Sequence, residues 1–338
     1  MKKYFNLLLF LIGTWHSFSQ DMPEQFPYIS PLKSIFTSFE PEEKDAIKAM
    51  IYIFDRDTIF NKSFERNKNT ATVTQYFKKK RFVKTINDYE NGLLVKTSSY
   101  NNEGLEKFIN YKYDSSKNLI ERRPTKVIYD KAKGTSTEVR DNFRGYEYDR
   151  SNRIKDFTID EKDVKHVIAE YQYDAGNKLI VKEELQWKET YDYKNDLLVK
   201  KSRFFKPDNS LYHTTEYAFN DDGLMTNYSD EYSSEVYSYE NKKVKTFIYT
   251  HKKSASVQEA TLFYENELLS KVEINATGVI GHFIFAFKSD YLAFSWKKNE
   301  PNKLRLAFFY DKQKNVSEIK YYVNDTYAYS KKFVYTYI

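Results

Sequence analysis

Few residues in this chain have the type and spacing that catalysis or metal binding requires. The histidines, at positions 16, 166, 213, 251 and 282, are far apart and form no metal-ligand motif, so we expect surface or packing roles for them. The chain has no cysteine, which excludes a thiol nucleophile, a thiolate metal cluster and disulfides. It also lacks a Gly-x-Ser-x-Gly elbow and a glycine-rich phosphate loop. We therefore predict no catalytic residue, no metal site and no cofactor.

The acidic residues offer two further candidates. Asp160, Glu161 and Asp163 are close enough for a cation site or a carboxylate pair, but they lack the register of a calcium loop, and a solvated loop is favoured. A second set recurs after pairs of aromatic residues, at Asp114, Asp149, Asp174 and Asp311. We predict that these carboxylates bond nearby backbone amides in turns, because a catalytic acid need occur only once.

The elements that would position these residues are hairpins, predicted from an internal repeat of aromatic, any residue, aromatic, a polar turn and an aliphatic residue. The clearest copies begin at Tyr111, Tyr146 and Tyr171. Looser copies begin at Tyr52, Tyr76, Tyr89, Tyr100, Tyr191, Tyr217, Tyr237, Phe263 and Phe308. Aromatics at i and i+2 lie on the same face of a strand but about 200° apart on a helix, so each copy predicts a hairpin.

The turns of these hairpins are rich in asparagine and glycine. A tight hairpin turn needs positive φ, which glycine tolerates freely and asparagine better than most residues, so we expect positive φ at Asn152 and Asn177. A single hairpin is marginal in water, which means that the repeats must pair edge to edge. The strand Phe333–Ile338 would then leave an open edge for a partner strand, unless Lys331 and Lys332 discourage pairing.

These segments resemble the YD repeat of the RHS family, whose pattern is Tyr-x-Tyr-Asp, two residues, Gly, Arg or Lys, then Leu or Ile. Residues 171–179 fit closely, with Asn177 in the glycine position, and residues 146–154 fit equally well, with Asn152 there. The resemblance spans roughly residues 46–338 and implies a long antiparallel sheet. In large members the repeats form a shell around a toxic domain, but the Asp-Pro-x-Gly-Trp motif of those shells does not occur here.

The predicted fold class is all-β, with tandem antiparallel β-hairpin repeats that form one long, curved or spiralling meander sheet. Residues 1–19 read as a signal peptide, because Lys2 and Lys3 precede an apolar run at 7–12 that is too short to span a membrane. We predict cleavage between Ser19 and Gln20 and export of the mature protein to the periplasm, the outer surface or the medium. Residues 20–45 are predicted to be a linker or cap, with a helical turn at 41–50, and residues 46–338 the repeat array.

Charge and composition restrict the function. The 54 basic and 48 acidic residues are interspersed, so we expect no nucleic-acid partner, and the basic runs at 78–81 and 242–243 fall in predicted turns. We predict a non-catalytic secreted or cell-envelope binding or scaffold module, whose partner is a polysaccharide or a protein bound through a sheet face or an edge strand. One alternative is a glycan-active enzyme with two carboxylates roughly 5–10 Å apart, assembled across repeats. Another is a small shell or accessory component of a toxin or secretion system.

Overall fold

The chain folds as one antiparallel β-sheet of 23 strands. The computed structural model describes residues 47–54, 57–66, 69–77, 81–130, 134–141, 143–150, 152–160, 162, 164–277 and 302–337. The strands are β1 (Ile47–Phe54), β2 (Asp57–Arg66), β3 (Thr70–Phe77), β4 (Arg81–Glu90), β5 (Leu93–Asn101), β6 (Gly104–Tyr113), β7 (Leu119–Asp130), β8 (Thr135–Arg140), β9 (Phe143–Asp149), β10 (Asn152–Ile159), β11 (Lys165–Tyr173), β12 (Leu179–Glu184), β13 (Trp187–Lys194), β14 (Leu197–Phe205), β15 (Ser210–Phe219), β16 (Met225–Ser229), β17 (Ser233–Glu240), β18 (Lys243–His251), β19 (Ser256–Glu265), β20 (Leu268–Thr277), β21 (Asn302–Tyr310), β22 (Val316–Val323) and β23 (Thr326–Tyr337).

The sheet closes on itself, so the prediction of an open or spiralling meander is wrong. β23 pairs antiparallel with β1, with Phe333 opposite Tyr52 and Tyr335 opposite Met50. Leaving out β8, the other 22 of the 23 strands complete a closed barrel. Closure gives the backbone groups of the first and last strands a partner, which an open sheet would leave unpaired. The predicted open edge at Phe333 therefore does not exist.

β8 is the one strand outside this circuit. β7 is long enough to have two partners along one side, since Glu121 and Arg122 pair with β9 while residues 125–130 pair with β8. β8 and the end of β7 thus form a two-stranded extension of the sheet past the barrel circuit.

Most repeats place a β-bulge immediately after the turn, although the hairpin of β3 and β4 has none. In the hairpin of β6 and β7, Leu119 lies opposite Tyr113 and Glu121 lies opposite Lys112, which leaves Ile120 as the extra residue. The same shift of register occurs at Tyr173, Tyr193, Tyr239, Tyr264 and Tyr310. In these hairpins the second aromatic of the motif therefore lies opposite the residue that directly precedes the bulge.

The second tyrosines form a ladder of hydrogen bonds around the barrel. Seven of these hydroxyls donate to a backbone carbonyl on the preceding strand of the barrel circuit, as Tyr173 does to Arg153 at 2.7 Å and Tyr264 does to Val244 at 3.0 Å. Further members are Tyr113, Tyr148, Tyr239, Tyr310 and Tyr335. The repeat thus links neighbouring hairpins as well as shaping each one.

Two types of turn follow the aromatic pairs and connect the two strands of each hairpin. In the longer type, the aspartate after the aromatic pair accepts two backbone N–H bonds, as Asp174 does from Gly176 and Lys178. Asp114 and Asp311 do the same, which confirms their predicted role as turn residues. The shorter type has two residues with positive φ, as at Asn91 and Gly92.

The predicted backbone geometry holds at one asparagine and fails at the other. Asn177 has φ of 63°, as its glycine-like position requires. Asn152 begins strand β10, and Arg150 has the positive φ of 56° in that turn. The predicted helical turn at 41–50 is also wrong where it is described, because Ile47–Met50 belong to β1.

The buried side chains lie mainly on the face of the sheet that carries the motif tyrosines, which we call the tyrosine face. Two parts of this face differ in composition. The apolar region, on β18–β22, contains Phe247, Leu262, Val272, Ile274, Leu306, Ile319 and Tyr321, each at most 1% exposed. The polar region, on β10–β14, contains Arg153, Asp156, Tyr171, Glu189, Tyr191 and Lys201.

Several predictions concern residues outside the described ranges. These are the signal peptide at 1–19 with its cleavage site, the segment 20–46, the basic residues 78–80, the acidic candidates Glu161 and Asp163, and His16 and His282. In the described part of the chain, no helix is both long and apolar enough to cross a membrane.

Candidate binding surface

The polar region contains a buried ion pair on a single strand. Arg153 and Asp156, exposed by 4% and 6%, form a bidentate salt bridge. The register shift at the start of β10 brings both residues onto the tyrosine face, since Arg153 lies opposite Tyr148 and Asp156 opposite Tyr146. The arginine also stacks over Tyr146, with its guanidinium carbon 4.3 Å from the ring centroid.

This ion pair is tied to the tyrosines around it. Tyr171 donates a hydrogen bond of 3.0 Å to Asp156, and burial is the main reason that its pKa lies well above the usual value. Burial alone would lower the pKa of Arg153, but its hydrogen bonds and attraction to Asp156 raise it instead. The arginine is therefore charged and the phenol neutral throughout the physiological range.

A second buried carboxylate lies three strands further along the barrel. Glu189 accepts a hydrogen bond of 2.7 Å from Tyr191 and lies 2.9 Å from the Lys201 ammonium. Burial alone would raise the pKa of Glu189, but the charge of Lys201 and the bond from Tyr191 lower it. Glu189 is therefore an anion held between a cation and a phenol.

These contacts leave both carboxylates poorly suited to catalysis. A glycosidase acid must hold a proton near neutral pH, which requires a raised pKa. The pKa of Glu189 moves in the opposite direction, and Asp156 already accepts two bonds from arginine and one from tyrosine. The arrangement stabilises buried charge and offers no free acid for proton transfer.

The sequence-predicted site residues are dispersed. His166 bonds to Asp160 at 3.0 Å, His213 pairs with Glu231, and His251 contacts Ser254. Asp160 also accepts the backbone N–H groups of Lys162 and Val164, which makes it a turn residue. Among the residues described, no three His, Asp or Glu side chains cluster as metal ligands.

The tyrosine face continues at the end of the barrel opposite the motif turns as a group of half-buried and exposed rings. We define the aromatic patch as Trp187 at the start of β13, Phe205 at the end of β14, Tyr212 in β15 and Tyr232 before β17. The ring centroid of Trp187 lies 4.8 Å from that of Tyr212 and 5.3 Å from that of Phe205. Tyr212 and Tyr232 are 59% and 53% exposed, which is unusual for such large side chains.

A β-bulge explains the position of Tyr212. His213 lies opposite Arg203, and Leu211 lies opposite Phe204, so Tyr212 is the extra residue between them. Bulges redirect a side chain away from the regular alternation of a strand. Here the bulge places an exposed tyrosine against Trp187 instead of leaving it to alternate with its neighbours.

Polar groups surround the patch. The guanidinium carbon of Arg203 lies 4.5 Å from the centre of the Trp187 ring. The same guanidinium forms an ion pair with the Glu184 carboxylate at 3.6 Å. Lys206, next to Phe205, donates its ammonium to the Glu184 carbonyl at 3.3 Å and its backbone N–H to the Gln186 carbonyl at 2.9 Å. His213 stacks against Tyr232 with centroids 6.2 Å apart. The rings are thus bordered by both donors and acceptors.

Sequence reasoning missed the aromatic patch. Trp187, Phe205 and Tyr212 belong to three strands and to none of the repeat motifs, so the periodic search passed over them. The sequence did contain an indication, because Trp187 and Tyr212 lie outside the repeat motifs and therefore cannot belong to the tyrosine ladder. Only the strand pairing shows that Trp187 lies directly opposite Phe205.

The chain matches no protein-family model and no curated protein. Among solved structures, it aligns with two chains of the TcdB2-TccC3 complex at 12% and 13% identity, each with a TM-score of 0.32. These alignments cover 88% and 81% of this chain but only 17% and 16% of the other. A porin-like protein from Bacteroides uniformis aligns at 9% identity and a TM-score of 0.26, covering 86% of this chain and 96% of the other. Scores this low assign no family.

Proposed function

We propose that this protein is a non-catalytic binding module, exported to the cell envelope, that holds an envelope polysaccharide on the aromatic patch. The contact between Trp187 and the bulged Tyr212 carries the proposal, because it keeps two adjacent rings in place while more than half of Tyr212 remains exposed. Export is inferred from the charged and apolar character of residues 2–12.

The chemistry of the patch suits a sugar. Tyrosine and tryptophan combine an apolar ring with a polar group at the edge, which matches a pyranose with its C–H face and its ring of hydroxyls. Arg203 and Glu184 at the margin supply a charged donor and an acceptor for those hydroxyls. Two rings held 4.8 Å apart and tilted by 56° would contact neighbouring parts of one chain.

The absence of catalysis is supported by the roles of the acids. Asp114, Asp174 and Asp311 cap turns, while Asp156 and Glu189 are held in buried ion pairs. The pKa of Glu189 is lowered, not raised as in a proton donor, and Asp156 is occupied by Arg153 and Tyr171. A glycan-active enzyme would need a second acid near one that is free to exchange a proton.

Two neighbouring residues permit a matched test. Tyr212 and Leu211 are 59% and 60% exposed, yet only Tyr212 contacts Trp187. The mature protein and its Tyr212→Ala and Leu211→Ala variants would be titrated against purified envelope polysaccharides and their oligosaccharides by calorimetry. We expect Tyr212→Ala to weaken binding by about tenfold or more and Leu211→Ala to change it little.

Other outcomes would contradict the proposal. Equal losses from Tyr212→Ala and Leu211→Ala, with binding only to envelope proteins, would indicate a protein partner that uses the whole apolar surface. Release of new reducing ends that a single Asp or Glu substitution abolishes would establish an enzyme.

A further inference from the structure

Strand β8 presents an edge that the barrel does not close. Of the strands that the structure describes, β8 alone pairs on one side only, with residues 125–130 of β7. Its side chains are all exposed, including Val139 at 41%. Proteins protect such edges with lysine, proline or a bulge, and β8 contains none of the three.

The direction of the free backbone groups follows from the pairing with β7. Asp141 donates its backbone N–H to Pro124 on β7 at 3.3 Å. Because these directions alternate along an antiparallel strand, the groups of Val139 also point toward β7, and those of Ser136, Glu138 and Arg140 point toward the open edge. A partner strand must therefore pair with these even-numbered residues.

The sequence of this edge complements itself. An antiparallel two-fold register with Val139 opposite Val139 of the partner subunit places Glu138 opposite Arg140 of the partner subunit, and Arg140 opposite Glu138 of the partner subunit. Registers that keep the even-numbered residues paired differ by two residues, and the nearest ones on either side place Glu138 or Arg140 opposite its own copy. Like charges directly opposite are unfavourable, whereas opposite charges are favourable.

Both charges of this edge are available to a partner as far as the described residues show. In the part of the chain described, neither Glu138 nor Arg140 forms an ion pair or a side-chain hydrogen bond. At the margin of this edge, Asp141 already has a partner, since it lies 3.2 Å from the ammonium of Lys126. The two unpaired charges therefore flank the exposed valine symmetrically.

We propose that two copies of this chain associate edge to edge through β8 in the register centred on Val139. The symmetric contact forms two Glu138–Arg140 pairs across the interface and continues the β7–β8 ribbon into its copy. This register pairs only residues 137–141 of each copy, so the interface is small and the dimer is weak and sensitive to salt.

A charge exchange tests the register. The mature protein and the variants Glu138→Arg, Arg140→Glu and the double exchange would be compared by sedimentation over a concentration series up to about 0.5 mM. Because each single change places like charges opposite each other twice, we expect each to raise the dimer dissociation constant by about tenfold or more. The double exchange restores both pairs and should return the constant close to that of the unaltered protein.

The controls separate this contact from other association. Lys253→Glu, in the β18–β19 turn, changes net charge like a single reversal and should leave the dimer unchanged. Equal thermal unfolding of all variants would show that β8 remains folded. A monomer at every concentration, a dimer indifferent to the single reversals, or a double exchange that fails to restore association would each overturn the proposal.

Discussion

The polar and apolar regions are built on the same repeat and differ in the residues beside the first tyrosine of each pair. In the polar region Tyr191 lies opposite Lys201, and at the border of the apolar region Tyr237 of β17 lies opposite Phe247. Both tyrosines donate to a glutamate two residues earlier, Glu189 and Glu235. The residue opposite the tyrosine on the next strand, Lys201 or Phe247, accounts for the difference between a network of charges and an apolar core.

The comparison shows that the repeat determines the backbone structure of both regions, while other side chains determine whether a region is polar or apolar. Turn, bulge and tyrosine ladder occur in both regions, since Tyr173 and Tyr264 make the same kind of bond. Stability comes from different sources in each. The apolar region depends on side-chain packing, and the polar region depends on every buried charge having its partner.

The apolar region should be the more sensitive to loss of volume. Phe247→Ala removes a side chain with no exposure, and we expect it to lower the free energy of unfolding by about 3–5 kcal/mol. Phe309→Ala is the control, because Phe309 is 42% exposed, and it should cost less than about 1 kcal/mol. Urea unfolding measures both. Equal effects would mean that the region is not a packed core.

The polar region should be sensitive to the loss of one charge but not of both. Asp156→Ala leaves Arg153 buried without its carboxylate, and we expect a loss of about 3 kcal/mol. Replacing both residues, with Arg153→Met and Asp156→Leu, should restore most of that stability. Urea unfolding of the single and double variants tests this. A double variant as unstable as the single one would show that the ion pair itself, and not the unpaired charge, determines stability.

Glu189 should make the polar region sensitive to acid. Its folded pKa lies below the ordinary value of 4.5, so its contribution is present above that pH and is lost as pH falls through the folded pKa. Glu189→Gln should cost about 1.5–3 kcal/mol at neutral pH and flatten the loss of stability below pH 4.5. Urea midpoints across this pH range, with the exposed Glu259→Gln as control, measure the effect. An unchanged acid profile would show that Glu189 is not held as an anion.

The tyrosine ladder should behave alike in both regions. Tyr173→Phe and Tyr264→Phe each remove one hydrogen bond to a carbonyl, and we expect both to cost about 1 kcal/mol. Mainly through burial, the pKa of each phenol is raised to about 12, so this stability is present below pH 10 and is lost as pH rises through 12. Phenolate absorbance and urea unfolding at alkaline pH would check this, with the exposed Tyr212→Phe as control. Clearly unequal costs would show that the ladder is not a uniform frame.

The local rules of the repeat were predictable because they depend on neighbouring residues. The hairpins, the asparagine at positive φ in position 177 and the turn-capping aspartates follow from spacing and side-chain chemistry. Asn152 was assigned incorrectly because its turn is short and Arg150 takes the left-handed conformation there. The repeat pattern does not show that the residue with positive φ lies two positions earlier in this turn than in the longer turns.

By itself the sequence determined the β-hairpin repeat, its turn chemistry and its tyrosine pairs, since each is decided within about 25 residues. Closure was decided by the tertiary structure, because whether β23 meets β1 depends on the summed twist and curvature of all the strands between them. The Arg153–Asp156 pair, the aromatic patch and the open edge of β8 depend in the same way on pairing register. One residue of bulge changes which side chains share a face, and no local pattern records where 22 strands will close.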